Sequence, residues 1–438
     1  MRRNTWRGAR SLAALLCVAF ALPAFLVACG DDDSDSGGGG SAAAPKSTAP
    51  ASKCGLGNGK KATGQPIKLG AIITKQPGTD FTDISDMAKA YFDCVNDNGG
   101  INGRPVQYVV QTEQTNPQQV ASLATKLVEN DKVLGIVGNT SLIDCAVNQK
   151  YYEKQGINLI ANGIARECYF SEGIRDINMG PYFSTLGAAQ YLVRQGAKSL
   201  VAATLKAPGT DFNNKGAVDL AKQEGIPGKS VTEVVPINDG AALALKLVDA
   251  AGDGGGVILD FIPPEALKVL QGAEQQGLID KVKWACATPC NDGSIAEALG
   301  PAWNDKLGIN AELNLVDSKG PDNQLYLQVA EKYGKGIAIG SFSQMGFTDA
   351  MLATKALMTV KGEFTKESVN EAFKNLKDVK TDILCNPWTF GDGVRLANDA
   401  DRTIVPQDHE FVEKEKCFDI AALPSNNLEE QRKADAGQ

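Results

Sequence analysis

Histidine is almost missing: His409 is the only one in 438 residues. It stands in the acidic stretch "PQDHEFVEKEK", which reads as a solvated loop rather than the seat of a base. No Gly-x-Ser-x-Gly elbow and no His-Glu-x-x-His pair occurs, so two common hydrolytic chemistries have no carrier. The segment "GLGNGKK" (Gly55–Lys61) imitates a phosphate-binding loop, but it is one residue short between its glycines and follows no strand. An enzyme is therefore not expected, and neither is a cofactor. Positive charge is also in deficit: 44 Lys and Arg stand against 52 Asp and Glu, a formal charge of −8. Arg2, Arg3, Arg7 and Arg10 precede residue 29 with no acid among them, so the remainder carries −8 − 4 = −12. That balance argues against nucleic acid or anionic lipid as a direct partner.

What is there begins with a targeting segment. The four arginines lead into an apolar run, Leu12 to Ala28, interrupted by Pro23. This is the layout of a signal peptide over 1–28. A single membrane anchor is the alternative, and the run is short for one. The run ends Leu26-Val27-Ala28-Cys29, which resembles the lipobox of bacterial lipoproteins. The resemblance implies cleavage before Cys29, lipid on its sulfur and an extracytoplasmic protein anchored to the cell membrane. Residues 29–65 open with small, polar, Gly/Ser/Pro-rich sequence and read as a flexible tether.

Ten cysteines, less Cys17 in the signal and Cys29, leave eight. Outside the cytoplasm such a set oxidises. Eight cysteines allow 105 pairings. The simplest joins sequence neighbours: Cys54–Cys94, Cys145–Cys168, Cys286–Cys290 and Cys385–Cys417. Cys286-x-x-x-Cys290 as half a metal site is the alternative, but the chain has no second close pair and one histidine, so no metal is expected.

From residue 66 onward, short β-branched runs alternate with longer helical stretches. Strands are expected at Ile67–Thr74, Val106–Thr112, Val133–Gly138 and Ile157–Ala161, with helices at Thr82–Asn98, Asn116–Asn130 and Ser141–Gln155. The series restarts with a helix at Thr185–Gln195 and strands at Ser199–Leu205, Ser230–Val235, Gly256–Asp260 and Val282–Ala287. Later helices are expected at Asp322–Tyr333, Phe347–Val360 and Lys366–Leu376, and residues 380–420 read as short strands and loops. Near-continuous apolar runs suit strands buried on both faces, and the alternation implies α/β units with parallel sheets.

One loop is written twice. "KQPGTDF" (Lys75–Phe81) and "KAPGTDF" (Lys206–Phe212) lie 206 − 75 = 131 residues apart, each after a strand and before a helix. Pro and Gly turn the chain, and Thr and Asp cap helices. Turn chemistry alone accounts for the motif. Strand-to-helix loops also lie at the carboxyl ends of strands, where open α/β sheets bind ligands, so a ligand site is the second reading.

Several segments carry a family likeness: "IKLGAI", the stretch "AKAYFDCVNDNGGINGRPVQYVV" with its Gly-Gly-Ile-Asn-Gly, "YYEKQGINLI" and "NPWTFGDGV". The chain resembles the periplasmic-binding-protein type I superfamily, and within it the branched-chain amino-acid-binding branch of ABC-transporter solute receptors. The resemblance covers about residues 66–420. It implies two doubly wound lobes with parallel central sheets joined by three crossovers. Lobe 1 would be 66–182 plus 310–382, lobe 2 183–309 plus 383–420, and 421–438 a C-terminal tail. It also implies a small-molecule ligand in the cleft and an ABC permease and ATPase as partners. Amino-acid binders of the family offer serine hydroxyls after the third strand and a glutamate in the second lobe. Here those places hold Asn139-Thr140-Ser141-Leu142-Ile143-Asp144 and the acid-free Cys286-Ala287-Thr288-Pro289-Cys290.

The expected ligand is therefore partly apolar rather than an amino acid. Phe81, Ile143, Ile164, Ala165, Phe212 and Ile262 would supply apolar contact, with Thr79, Asp80, Asn139, Ser141, Thr210 and Asp211 orienting polar groups. Arg166 would meet a carboxylate, or pair with Glu167 or Asp144. A sensory receptor of the same fold is the competing function, and a secreted enzyme the more distant one.

Overall fold

The computed structural model describes residues 46–47, 51–206 and 210–435, without the side chains of residues 211, 434 and 435. The signal segment, Cys29, and residues 207–209 of the second loop copy lie outside them.

The chain opens with alternating units: β1 (Ile67–Gln76), β2 (Thr79–Asp80), α1 (Thr82–Asp97), β3 (Val106–Glu113), α2 (Pro117–Thr125), β4 (Gly135–Asn139), α3 (Asp144–Gln155), β5 (Leu159–Ala161), α4 (Arg166–Phe170) and β6 (Ile174–Asp176). The six strands form one sheet in the order β2-β1-β4-β5-β6, with β3 also on β1; all but β2 are parallel. In β1, Leu69, Ala71, Ile72 and Ile73 are fully buried, so both faces are covered, as the unbroken apolar run requires. The Gly-Gly-Ile-Asn-Gly motif is a tight turn into β3. Gly99, Gly100, Asn102 and Gly103 all take positive φ, and a Cβ on Gly100 would meet the Arg104 carbonyl at 2.3 Å.

The second series is α5 (Gly180–Arg194), β7 (Leu200–Leu205), α6 (Lys215–Gln223), β8 (Gly228–Glu233), α7 (Gly240–Ala251), β9 (Gly256–Asp260), α8 (Pro263–Gln275), β10 (Lys283–Cys286), α9 (Gly293–Ala298) and β11 (Leu307–Ala311). Three helices, α10 (Pro321–Tyr333), α11 (Ser341–Leu357) and α12 (Lys366–Lys374), then return to the first sheet. There α11 crosses α1 so closely that a Cβ on Gly346 would sit 1.9 Å from the Ile84 carbonyl oxygen. Finally β12 (Ala400–Gln407) and β13 (Glu410–Asp419) complete a seven-stranded second sheet, β13-β12-β11-β10-β9-β7-β8, and α13 (Leu428–Asp435) follows. The protein is thus α/β, with two mostly parallel, helix-flanked sheets and three passages of chain between them.

Several details depart from the sequence expectations. The stretch over 380–420 contains a long antiparallel hairpin, not just short strands: β12 is buried almost throughout, while the edge strand β13, "EFVEKEKCFD", is mostly exposed and charged. The core that packs on the first sheet also runs on through Trp388 and Phe390, both fully buried. Part of the expected tether, 29–65, is docked rather than flexible: Ser52 bonds to Pro321 and Asp322, and Cys54 is buried. At the other end Leu423 and Leu428 are buried against the α4 region. The eight cysteines are joined as Cys54–Cys94, Cys145–Cys168, Cys286–Cys290 and Cys385–Cys417.

Candidate functional site

The first loop copy folds as a hairpin. Gln76-Pro77-Gly78-Thr79 turns with Gly78 at φ +81°, the type II arrangement that needs glycine third, and Thr79–Asp80 pairs back onto β1. The Asp80 carboxylate accepts from the Thr82 amide at 2.9 Å and its hydroxyl at 2.7 Å, opening α1, and pairs with Lys75 at 3.0 Å. In the second copy Thr210–Phe212 forms a 3-10 turn that leads into α6.

Gly78, Thr79 and Phe81 of the first copy and Thr210 of the second line one cavity of about 100 Å³. It lies where parallel strands of both sheets end. Gly78 and Phe81 follow β1, Thr140 and Leu142 follow β4, and Asn162 and Ile164 follow β5. From the second sheet come Leu205 at the end of β7, Val235 after β8, Asp260, Phe261 and Ile262 at β9, Thr288 and Pro289 after β10, and Glu312 after β11. The start of α5 and, from α11, Phe342 and Met345 complete the wall. Phe81 and Phe342 meet edge to face with centroids 5.6 Å apart.

The polar groups of the wall are Ser, Thr and Asn side chains together with two carboxyls, Asp260 and Glu312. Asp260 takes both of its hydrogen bonds on Oδ2, from Thr204 Oγ1 at 2.7 Å and Asn213 Nδ2 at 3.0 Å. Burial pushes its carboxyl up to about 6 against those bonds. Glu312 accepts from the Met179 amide at 2.6 Å and is bonded by Thr288; burial pushes it up to about 8, helped by the nearby Asp176. Ser184, Thr288, Asn310 and Asp401 extend this network along the second sheet. Asn162 donates through Nδ2 to Asp349 at 2.5 Å, and its buried Oδ1 has no partner. Among the described residues no lysine or arginine lines the cavity.

Of the residues expected at a site, Thr79, Phe81, Ile164, Thr210 and Ile262 line the cavity. Others serve local structure. Asn139 ties the Ile72 amide to Asp144, and Ser141 accepts from the Ile143 and Asp144 amides while donating to Glu113. Ile143 and Ala165 are the residues before α3 and α4. Asp80 holds its own turn. Phe212 stacks on Tyr182, with centroids 4.6 Å apart, and meets Phe170 edge-on at 6.3 Å, away from the cavity wall. The Asp211 side chain lies outside the described residues. Arg166 pairs with Glu167 at 3.5 Å. Sequence reasoning missed Asn162, Asp260, Glu312, Phe342 and Met345. For Asp260 and Glu312 a signal existed: each acid closes or directly follows an apolar strand, "GVILD" and "LGINAE", at its carboxyl end.

A family model described as "Periplasmic binding protein" matches residues 66–402. The chain belongs to that family. No curated protein sequence matches it. Among solved structures it is similar to a fatty acid ABC transporter substrate-binding protein from Thermomonospora curvata, at 19% identity over 85% of this chain and 97% of that one, TM-score 0.71. A branched-chain amino acid ABC transporter protein from Thermus thermophilus with bound valine gives 14% identity, 86% and 100% coverage, and TM-score 0.73. A solute-binding protein from R. palustris in complex with 4-hydroxybenzoate gives 19%, 83% and 100%, and 0.69. At these identities the likeness is one of fold. It matches the two-sheet α/β architecture.

Proposed function

We propose that the protein is the extracytoplasmic solute-binding component of an ABC importer, closing its two lobes around one partly apolar small molecule. The observation that carries the reading is a single mostly apolar cavity walled by strand ends of both sheets. A ligand that touches both walls favours the closed arrangement, and the closed shape is what a permease and its ATPase read. The fatty acid, valine and 4-hydroxybenzoate named for the similar structures support a small-molecule role. The lobe boundaries of this reading are 66–182 plus 310–382 and 183–309 plus 383–420, with the first core reaching on to Phe390.

Anchoring rests on the sequence: Cys29 after Leu26-Val27-Ala28 carries the lipid, and the segment behind it tethers the lobes to the membrane. Metabolic labelling with a fatty acid should tag the wild type and spare Cys29→Ser; equal labelling of both would end this part. A thermal-shift screen over amino acids, amides, aromatic acids and short fatty acids tests the binding role. A ligand at 100 times its dissociation constant adds roughly 2.7 kcal/mol. A screen in which nothing raises the melting temperature counts against it.

A further inference from the structure

The cavity's chemistry says which end of a ligand it can hold. An anionic head group inside an apolar pocket needs a cation or free N–H or O–H donors, because a desolvated charge without partners costs several kcal/mol or more. Among the described residues no basic side chain lines this wall. Several backbone donors near the cavity are already engaged. Thr74 Oγ1 takes the Leu142 amide at 2.9 Å, and Ser141 Oγ takes those of Ile143 and Asp144 at 3.2 and 3.1 Å. Asp80 holds the Thr82 amide at 2.9 Å, Glu312 that of Met179 at 2.6 Å, and Ser184 that of Thr288 at 2.7 Å.

One buried wall hydroxyl, Thr140 Oγ1, has no partner among the described residues and can donate or accept; the other buried wall groups left over are acceptors. With its amide nitrogen on Asp349, Asn162 leaves a buried Oδ1 without a partner. Asp260 spends Oδ2 on Thr204 and Asn213, and Oδ1 accepts no hydrogen bond among the described residues. Around these acceptors the wall is Phe81, Leu142, Ile164, Val235, Ile262 and Phe342.

We infer that the pocket takes an apolar molecule whose polar end donates hydrogen bonds and carries no negative charge, an alcohol, amide or amine rather than a carboxylate. This rests on reading the cavity as the ligand site. Asn162 and Asp260 receive the donors, and the apolar walls take the body of the molecule. The placement sets this cavity apart from one built to clamp a carboxylate.

The test uses the mature full chain and matched compounds. Hexanamide, hexanol and hexylamine are compared with hexanoate, and benzamide, benzyl alcohol and benzylamine with benzoate, by thermal shift and calorimetry at equal concentration. At least one donor-ended compound should bind about ten-fold tighter than its carboxylate, the ratio given by 1.4 kcal/mol. Carboxylates that bind as tightly or tighter would overturn the inference while leaving the binding role intact. Failure of every compound would overturn the reading of the cavity as a ligand site. In Asp260→Asn the oxygen stays with Thr204 and Asn213 and an N–H replaces the free Oδ1. An amine then loses both charge and acceptor and its affinity should fall about ten-fold, while that of an alcohol, which can accept from that N–H, should fall by no more than about two- to three-fold. The melting temperature of the empty variant separates this from loss of fold. An amine affinity unchanged by Asp260→Asn would remove Asp260 from the assignment.

Discussion

Glu312 offers the sharpest stability experiment. It is buried just after β11, where the chain leaves the second sheet, and its carboxyl is pushed from 4.5 up to about 8, chiefly by burial. Met179 and Thr288 bond it, Asp176 and Asp401 lie near, and among the described residues no cation compensates. An acid whose folded pKa is raised makes the native state the proton-rich one. Its contribution is fully present below about pH 4.5, is lost as pH climbs toward 8, and is flat beyond. At ~1.36 kcal/mol per pH unit the interval from 4.5 to about 8 has a ceiling of roughly 5 kcal/mol. Water entering the site and relaxation of the wall reduce that to a few kcal/mol. Glu312→Gln keeps the shape and an acceptor and discards the titration. Urea unfolding of both proteins at steps from pH 5 to 9 reads the difference directly. The variant should gain on the wild type as pH rises from 5 toward 8 and hold that gain to 9, with a small added gain once Glu312 would ionise, as Asp401 is spared a like-charged neighbour. Parallel stability curves across that range would refute the argument that this carboxyl is buried and uncompensated.

The two phenylalanines of the repeated loop should separate. Phe81, 6% exposed in a cluster with Ala71, Ile73 and Ile84, is wall and core at once, so Phe81→Ala should cost the empty protein ~3 kcal/mol and also weaken ligand binding. Phe212→Ala removes a half-buried stack on Tyr182 and should cost about 1–2 kcal/mol with little change in affinity. Chemical denaturation with calorimetry on both variants decides, and a larger binding loss in Phe212→Ala would contradict this placement. Replacing Cys54 and Cys94 by alanine opens a bridge of sequence separation 40 and should cost about 2–4 kcal/mol. Limited proteolysis should then cut before residue 65 faster than in the wild type; an unchanged rate would mean that Ser52 and its partners hold the segment unaided.

The alternation of buried strands and amphipathic helices was legible because each element carries its own period. The family likeness likewise rested on a turn, Gly99 to Gly103, whose glycines are demanded by positive φ. The repeated loop was legible as turn chemistry. Its two copies still diverge: the first closes a hairpin onto β1, while the second opens a 3-10 turn. Nothing local distinguishes Ser141, engaged in holding α3, from a serine that meets a ligand; the difference lies in Glu113, 28 residues earlier. Phe342 and Met345 reach the cavity only because α11 packs on α1, a contact across more than half the chain that no window of sequence contains. The β12–β13 hairpin was obscured by the charge of its edge strand, which protects an open sheet edge and reads as loop.

Where a ligand sits is the most direct test of the proposed function. The tightest compound from the matched series should be crystallised with the mature protein and located by its density. The account predicts the molecule between Phe81 and Ile262, touching residues of both lobes, with its donor on Asn162 or Asp260. Density confined instead to the groove between Glu153, Asn158 and Lys374 on the outside of the first lobe would contradict it.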